Sequence, residues 1–139
     1  MAASKSAQLK RFERQVQDLA ESPLCDLRVK EGYRPVRGKG DPDARIMFIG
    51  EAPGKQEAKR GEPFVGAAGR MLDQMLQSVG LERDQIFITN ILKDRPPENR
   101  PPQKQEIKLH SPSLRRQIEI IKARGHCHAV ALCHGIHPG

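Results

Sequence analysis

The chain alternates between segments with helical spacing of apolar residues and short runs that are almost wholly apolar. The helical spacing covers 7–20, 70–79 and 105–124. The apolar, partly β-branched runs, typical of buried strands, are 46–49, 85–89 and 129–132. The order helix, strand, helix, strand, helix, strand predicts an α/β fold with a parallel sheet and right-handed crossovers. Within 70–79 we expect Met71, Met75 and Val79 to belong to the core.

Polar residues stand where two of the predicted strands end. Glu51 follows the first strand inside Gly50-Glu51-Ala52-Pro53-Gly54, a turn that neither helix nor strand accommodates. Asn90 follows the second strand. Open α/β sheets bind ligands at the carboxyl ends of their strands, so both residues are candidates for a site. The alternatives are an ordinary strand-to-helix connection around Glu51 and a turn or cap role for Asn90.

A second glycine-marked loop carries a lone aromatic residue between these strands. Phe64 lies in Gly61-Glu62-Pro63-Phe64, and the small residues at 66–69 lead into the next predicted helix. Small residues permit close packing or the approach of a phosphate. The acid, the ring and the amide therefore form one candidate site.

Two segments are predicted to be loops with basic side chains. Residues 30–43 are rich in glycine, proline and charge, and their Arg34, Arg37 and Lys39 either contact a DNA backbone or face solvent. Residues 93–104 contain four prolines, so we expect neither helix nor strand but an extended segment suited to lie along phosphates. Pro112 predicts a break or a first turn in the helix that follows.

Composition favours an anionic partner. The 139 residues carry a net charge of +7 and a pI of about 9.7, which suits nucleic acid, although a basic protein without that role remains the alternative. No run is apolar enough for a membrane and no signal-peptide core is present, so we expect an intracellular protein. Three cysteines in such a protein indicate thiols.

Three blocks of sequence, in order, resemble one known family. GEAPGKQE, GEPFVGAAG and ITNILKDRPPENRPP are similar to the family 4 (thermostable, iron-sulfur) uracil-DNA glycosylases, with the match running from about Ser22 to about Leu132. The resemblance implies a three-layer α/β sandwich with a central parallel sheet. It implies one domain over 1–139, incomplete at its C-terminus. We expect a monomer of the cytoplasm or nucleoid that removes uracil from DNA in base-excision repair.

The resemblance also assigns roles to individual residues. Glu51 matches the carboxylate that positions or activates the hydrolytic water, Phe64 the ring that stacks on the flipped uracil, and Asn90 the amide that reads its edge. The residues implied to form the pocket wall through their backbone are Gly50, Ala52 and Gly54. Glu57 completes the first motif in a supporting part.

The family's 4Fe-4S cluster is the implied cofactor, and its four cysteine positions correspond here to Ser22, Cys25, Asp94 and His110. Because such clusters are held by thiolates, we expect this chain not to hold a standard one. Cys25, Asp94 and His110 remain candidates for zinc, the alternative being an empty, degenerated site. The family needs no metal for hydrolysis.

Other departures from the family leave further alternatives open. The tail 125–139 holds four histidines and two cysteines without a standard zinc spacing, and His137-Pro138 imitates a later catalytic motif too soon after the third strand. Glu62 stands where the family has an arginine that faces DNA, and Arg60 is a candidate to compensate. The competing hypotheses are a non-catalytic DNA- or uracil-binding remnant and a metal-binding regulatory protein.

Overall fold

A four-stranded sheet with helices on both faces forms the protein in a computed structural model that describes residues 4–17, 23–122 and 128–131. The described helices are α1 (Lys5–Gln17), α2 (Pro23–Glu31), α3 (Lys55–Arg60), α4 (Ala67–Ser78) and α5 (Lys104–Ile121). The described strands are β1 (Lys39–Gly40), β2 (Ile46–Gly50), β3 (Phe87–Asn90) and β4 (His128–Ala131). The predicted strands are thus all present, and the α/β class is confirmed.

The sheet is parallel at its centre and antiparallel at one edge. Its strand order is β1-β3-β2-β4, with β2 parallel to both neighbours and β1 antiparallel to β3. The edge strand β1 lies in the segment expected to be a loop. A Cβ at Gly40 would collide with the carbonyl of Ile86, and Gly40 has φ +139°, so this strand depends on glycine and lacks the usual β-branched signal.

Alternation along the strands builds a separate core on each face of the sheet. Met47 and Phe87 point to one face, whereas Phe48 and Ile88 point to the other. The buried residues of the first core are Leu9, Phe12, Ala44, Met47, Phe87, Ile120 and Ile121. Those of the second are Phe48, Leu72, Leu76, Ile86 and Ile88. The sheet is therefore the middle of three layers, with α1 and α5 on one side and α4 on the other.

Helix α4 buries a narrower stripe than its sequence suggests. Leu72 and Leu76 pack against the sheet, but Met71, Met75 and Val79 are 43 %, 53 % and 68 % exposed. The expectation that these three belong to the core is wrong. Met71 and Met75 each precede a buried leucine by one residue, about 100° around the helix, which turns them away from the sheet, and Val79 lies just beyond the end of α4 at Ser78.

The remaining differences concern short or interrupted helices. Helices α2 and α3 were not predicted, α4 begins three residues early, and a short 3-10 turn, Pro97–Asn99, lies in the segment predicted to exclude helix. The predicted break at Pro112 is wrong, since α5 continues through this position. Pro112 is exposed, so the carbonyl that loses its N–H partner there can be hydrated. In the part of the chain described, no helix has the length and apolarity to cross a membrane.

Candidate functional site

The α-carbon of Gly50 is the point where the candidate site residues meet. Gly50 and Asn90 are partners in the parallel register of β2 and β3. A Cβ built on Gly50 would fall on Asn90 Oδ1 and would lie 2.7 Å from Phe64 Cζ. The amide and the ring are therefore brought together over a backbone that carries no side chain, and any larger residue at 50 would push them apart.

The chain beyond β2 stays attached to the chain beyond β3. The Ile91 N–H donates to Gly50 O at 2.9 Å, and the Leu92 N–H donates to Glu51 O at 3.0 Å. Glu51 and Asn90 thus lie at the same end of the sheet, as predicted from the two strand ends. Asn90 is 2 % exposed, and the Glu51 and Ala52 side chains are partly buried.

One carboxylate, that of Glu57 in α3, connects the turn after β2 with the loop that carries Phe64. Glu57 Oε1 accepts from the Gly54 N–H at 3.1 Å, and Oε2 accepts from the N–H groups of Val65 and Gly66 at 3.0 and 2.7 Å. The motif had left the part of Glu57 undefined. The structure makes it the acceptor that fixes both loops.

The glycines at 54 and 66 make room for this carboxylate. A Cβ at Gly54 would lie 2.7 Å from Glu57 Oε1, and one at Gly66 would lie 3.2 Å from Oε2. Gly54 also caps α3. A glycine is therefore needed at position 54 to make room for the Glu57 carboxylate, independently of any role in a pocket wall.

Arg83 holds the carbonyl side of the Phe64 loop. Its Nη2 donates to the carbonyls of Phe64 and Gly69 at 2.5 and 3.0 Å, and its Nε donates to Asp73. Phe64 has φ +54°, a left-handed conformation that is uncommon for an aromatic residue and needs such support. Sequence reasoning missed Arg83, because nothing local marks an arginine that acts on a loop 19 residues earlier.

Behind Asn90 lies a fully buried lysine. Lys93 Nζ donates to Asn90 O at 2.6 Å, to Thr89 Oγ1 at 2.7 Å and to Gln117 Oε1 at 2.6 Å. These three acceptors match the three N–H groups of an ammonium. The network joins the end of β3 to α5 and so supports the backbone that carries Asn90.

Burial has a clear electrostatic effect on this lysine. It lowers the pKa of Lys93 from 10.5 to about 7, because the charged form loses its hydration. The protonated and the neutral forms of the Lys93 side chain are therefore both populated near neutral pH.

At the described cluster positions, the side chains of Asp94 and His110 are both hydrogen-bonded within the chain. Cys25 lies in α2, Ser22 lies outside the described residues, and Asp94 Oδ1 accepts from Arg28 Nη1 at 3.0 Å. His110 Nδ1 accepts from the Lys93 N–H at 3.1 Å. Among the described residues no group of three or more acidic, histidine or cysteine side chains is arranged to hold a metal ion. A carboxylate beside a guanidinium and an engaged imidazole do not fit a 4Fe-4S cluster.

Two basic side chains of the charged loops, Lys39 and Arg100, form ion pairs within the chain. Glu62 accepts from Lys39 Nζ at 3.1 Å, so the acid that replaces the family's arginine is neutralised by Lys39, and Arg60 remains exposed at the end of α3. Arg100 forms a bidentate pair with Glu106 at 2.7 Å for both contacts. The tail metal hypothesis concerns side chains of 125–139, which lie outside the residues whose side chains are described.

The sheet, with Gly50, the Phe64 ring and the Asn90 amide at one end, defines an α/β protein with a candidate ligand site at its strand ends. The Uracil DNA glycosylase superfamily matches residues 37–137, and the chain belongs to that superfamily.

The chain is similar in sequence to several uracil-DNA glycosylases. The type-4 uracil-DNA glycosylase of Sulfurisphaera tokodaii is 61 % identical over 87 residues, which are 62 % of this chain and 40 % of the relative. That of Archaeoglobus fulgidus is 47 % identical over 108 residues, 77 % of this chain and 53 % of the relative. A type-5 uracil-DNA glycosylase of Thermus thermophilus is 37 % identical over 82 residues, 49 % of this chain and 37 % of the relative. The chain thus spans about half or less of the length of these relatives, and the resemblance to type-4 enzymes is confirmed.

The bridging carboxylate of Glu57 gives a first prediction. The substitution Glu57→Gln leaves one acceptor oxygen and turns an N–H₂ group toward backbone N–H donors, so we expect the free energy of unfolding to fall by about 1–3 kcal/mol. Urea denaturation measures it. The matched control is Glu62→Gln on the same loop, which removes a surface ion pair and should change stability by less than about 1 kcal/mol. Equal effects of the two substitutions would contradict the bridging role.

The buried amine of Lys93 gives a second prediction, on pH. Between about pH 7 and 10 the unfolded lysine is protonated while the folded amine is neutral, so stability should rise with pH in that window. Relative to Lys93→Met, the free energy of unfolding should increase by at most about 1.4 kcal/mol per pH unit. Denaturation at several pH values measures it. The exposed Lys108→Met serves as control, and parallel profiles for the wild type and Lys93→Met would contradict the assignment.

Proposed function

We propose that this chain binds uracil extruded from DNA and hydrolyses its N-glycosidic bond, as a glycosylase of base-excision repair. The observation that carries the proposal is the meeting of Asn90 and Phe64 over Gly50. The matching type-4 relatives are named uracil-DNA glycosylases, which supports the same activity. The chain covers only part of those relatives, so the activity of the whole protein is our inference.

The amide and the ring suit the binding step. The Asn90 carboxamide offers a donor and an acceptor side by side, which match O4 and N3–H of uracil. Cytosine presents the reverse pattern on that edge, so an amide held in one orientation discriminates between the two bases. Stacking on Phe64 offsets part of the energy needed to remove the base from the duplex.

The carboxylate suits the chemical step. Breaking the bond develops positive charge on the sugar and negative charge on the leaving base, so Glu51 beside the sugar stabilises the first and positions the attacking water. Backbone groups of Gly50, Ala52 and Gly54 are proposed to line the pocket. This chemistry routes no step through a metal.

A second candidate function is uracil binding without hydrolysis. The proposed binding residues Asn90 and Phe64 are present, whereas His137 follows the third predicted strand too soon to match the histidine donor of the family's later motif. Loss of such a donor typically lowers the rate about 100- to 1,000-fold. Binding would then persist while cleavage becomes slow.

The wider proposals concern the partner and the setting. The net charge of +7 favours DNA as the macromolecular partner. We propose that residues 1–139 act as one domain and as a monomer, in the cytoplasm or nucleoid where such DNA is repaired.

A glycosylase assay tests the proposal. We expect abasic sites in a uracil-containing oligonucleotide and none in the matching cytosine oligonucleotide. Asn90→Asp, which cannot donate to O4, and Glu51→Ala should each lower the rate at least about 100-fold. Phe64→Leu should weaken binding about 10-fold through lost stacking.

The control is Glu119→Ala, an exposed carboxylate on α5 that should leave the rate unchanged. Uracil-dependent binding without abasic sites would support the second candidate instead. If the protein shows no cleavage and no preference for uracil, both candidate functions are refuted.

A further inference from the structure

A buried ion pair connects the second helix to the segment after β3. Arg28, in α2, is 6 % exposed and donates from Nη1 to Asp94 Oδ1 at 3.0 Å. Asp94 is 1 % exposed, and its Oδ2 has no hydrogen-bond partner among the described residues. The two residues are 66 positions apart, so the contact closes a long loop of chain.

A buried histidine from α5 contacts the same segment. His110 is fully buried, and its Nδ1 accepts from the backbone N–H of Lys93, the residue before Asp94. Burial first, and the charge of Lys93 second, lower the pKa of His110 to about 4, so the imidazole is neutral at neutral pH and its Nδ1 acts as an acceptor. Helices α2 and α5 thus both attach to residues 93 and 94.

We propose that the Arg28–Asp94 ion pair, assisted by His110, is the structural link that holds α2 to the β3–α5 segment, in place of a metal cluster. Asp94 and His110 occupy two positions that the family resemblance assigns to cluster cysteines. Here they are occupied by an acceptor for a guanidinium and an acceptor for a backbone N–H.

The charges of this arrangement favour a guanidinium over a metal ion. A metal placed on Asp94 would lie close to the Arg28 cation in a site of low dielectric, where like charges repel strongly. The buried carboxylate in turn needs a positive partner, since burial raises its pKa and Arg28 opposes that rise. Removing either partner alone would break the pair and leave the other group buried without this contact.

The ion-pair link is also connected to the candidate site through Lys93. Lys93 shares its backbone N–H with His110 and its ammonium with the Asn90 carbonyl. The position of residues 93 and 94 therefore affects the end of β3. Asp94, which contacts α2, follows Asn90 by only four residues.

A double-mutant cycle tests the pairing. Arg28→Met and Asp94→Val should each lower the folding equilibrium constant about 100-fold or more in urea denaturation, because each removes one partner of a buried ion pair. The double variant Arg28→Met/Asp94→Val should recover most of that loss. Additive effects of the two substitutions would overturn the proposal, since independent residues show no such recovery.

Iron reconstitution tests the replacement of the cluster. The full chain is incubated anaerobically with ferrous iron and sulfide, desalted, and measured for iron and visible absorbance. We expect no retained chromophore and no change in the urea midpoint. Retention of iron with cluster absorbance that Cys25→Ser abolishes would overturn the proposal. This readout is independent of glycosylase activity, so its failure and that of the proposed function are distinguishable.

Discussion

The close approach of Asn90 and Phe64 to the α-carbon of Gly50 is the constraint on which the candidate site depends. Parallel pairing of β2 and β3 sets Gly50 beside Asn90, and the missing side chain at 50 leaves room for the amide and the ring. Because protein interiors are closely packed, a methyl group there would displace at least one of them. The recognition geometry is thus a consequence of sheet register and one glycine.

The surrounding groups hold that arrangement from three directions. Glu57 accepts from the backbone N–H groups of both loops, Arg83 donates to the carbonyls of the Phe64 loop, and Lys93 donates to the carbonyl of Asn90. Glu57 and Arg83 are charged groups that hydrogen-bond to backbone here, and charge-assisted bonds of this kind are stronger than neutral ones. The strained backbone of Phe64 is stable only inside such a framework.

Much of this could be predicted from sequence, and the exceptions have physical causes. Strands β2, β3 and β4, and the placement of Glu51 and Asn90 at the ends of β2 and β3, followed from apolar runs, whereas the glycine-dependent edge strand β1 did not. The exposure of Met71 and Met75 did not, since hydrophobic spacing does not say how wide a stripe a sheet covers. Arg83 and the Arg28–Asp94 pair were missed because their contacts span distant parts of the chain.

The most direct test of the central claim is an NMR titration of the isotope-labelled protein with uracil and, separately, with cytosine. Uracil should shift the side-chain amide signal of Asn90 and the backbone signals of Gly50 and Phe64 together, because all three lie close together at the proposed binding site. Cytosine, with its reversed edge, should leave the Asn90 amide unchanged. Uracil-induced shifts that spare Asn90, or equal shifts with both bases, would contradict the account.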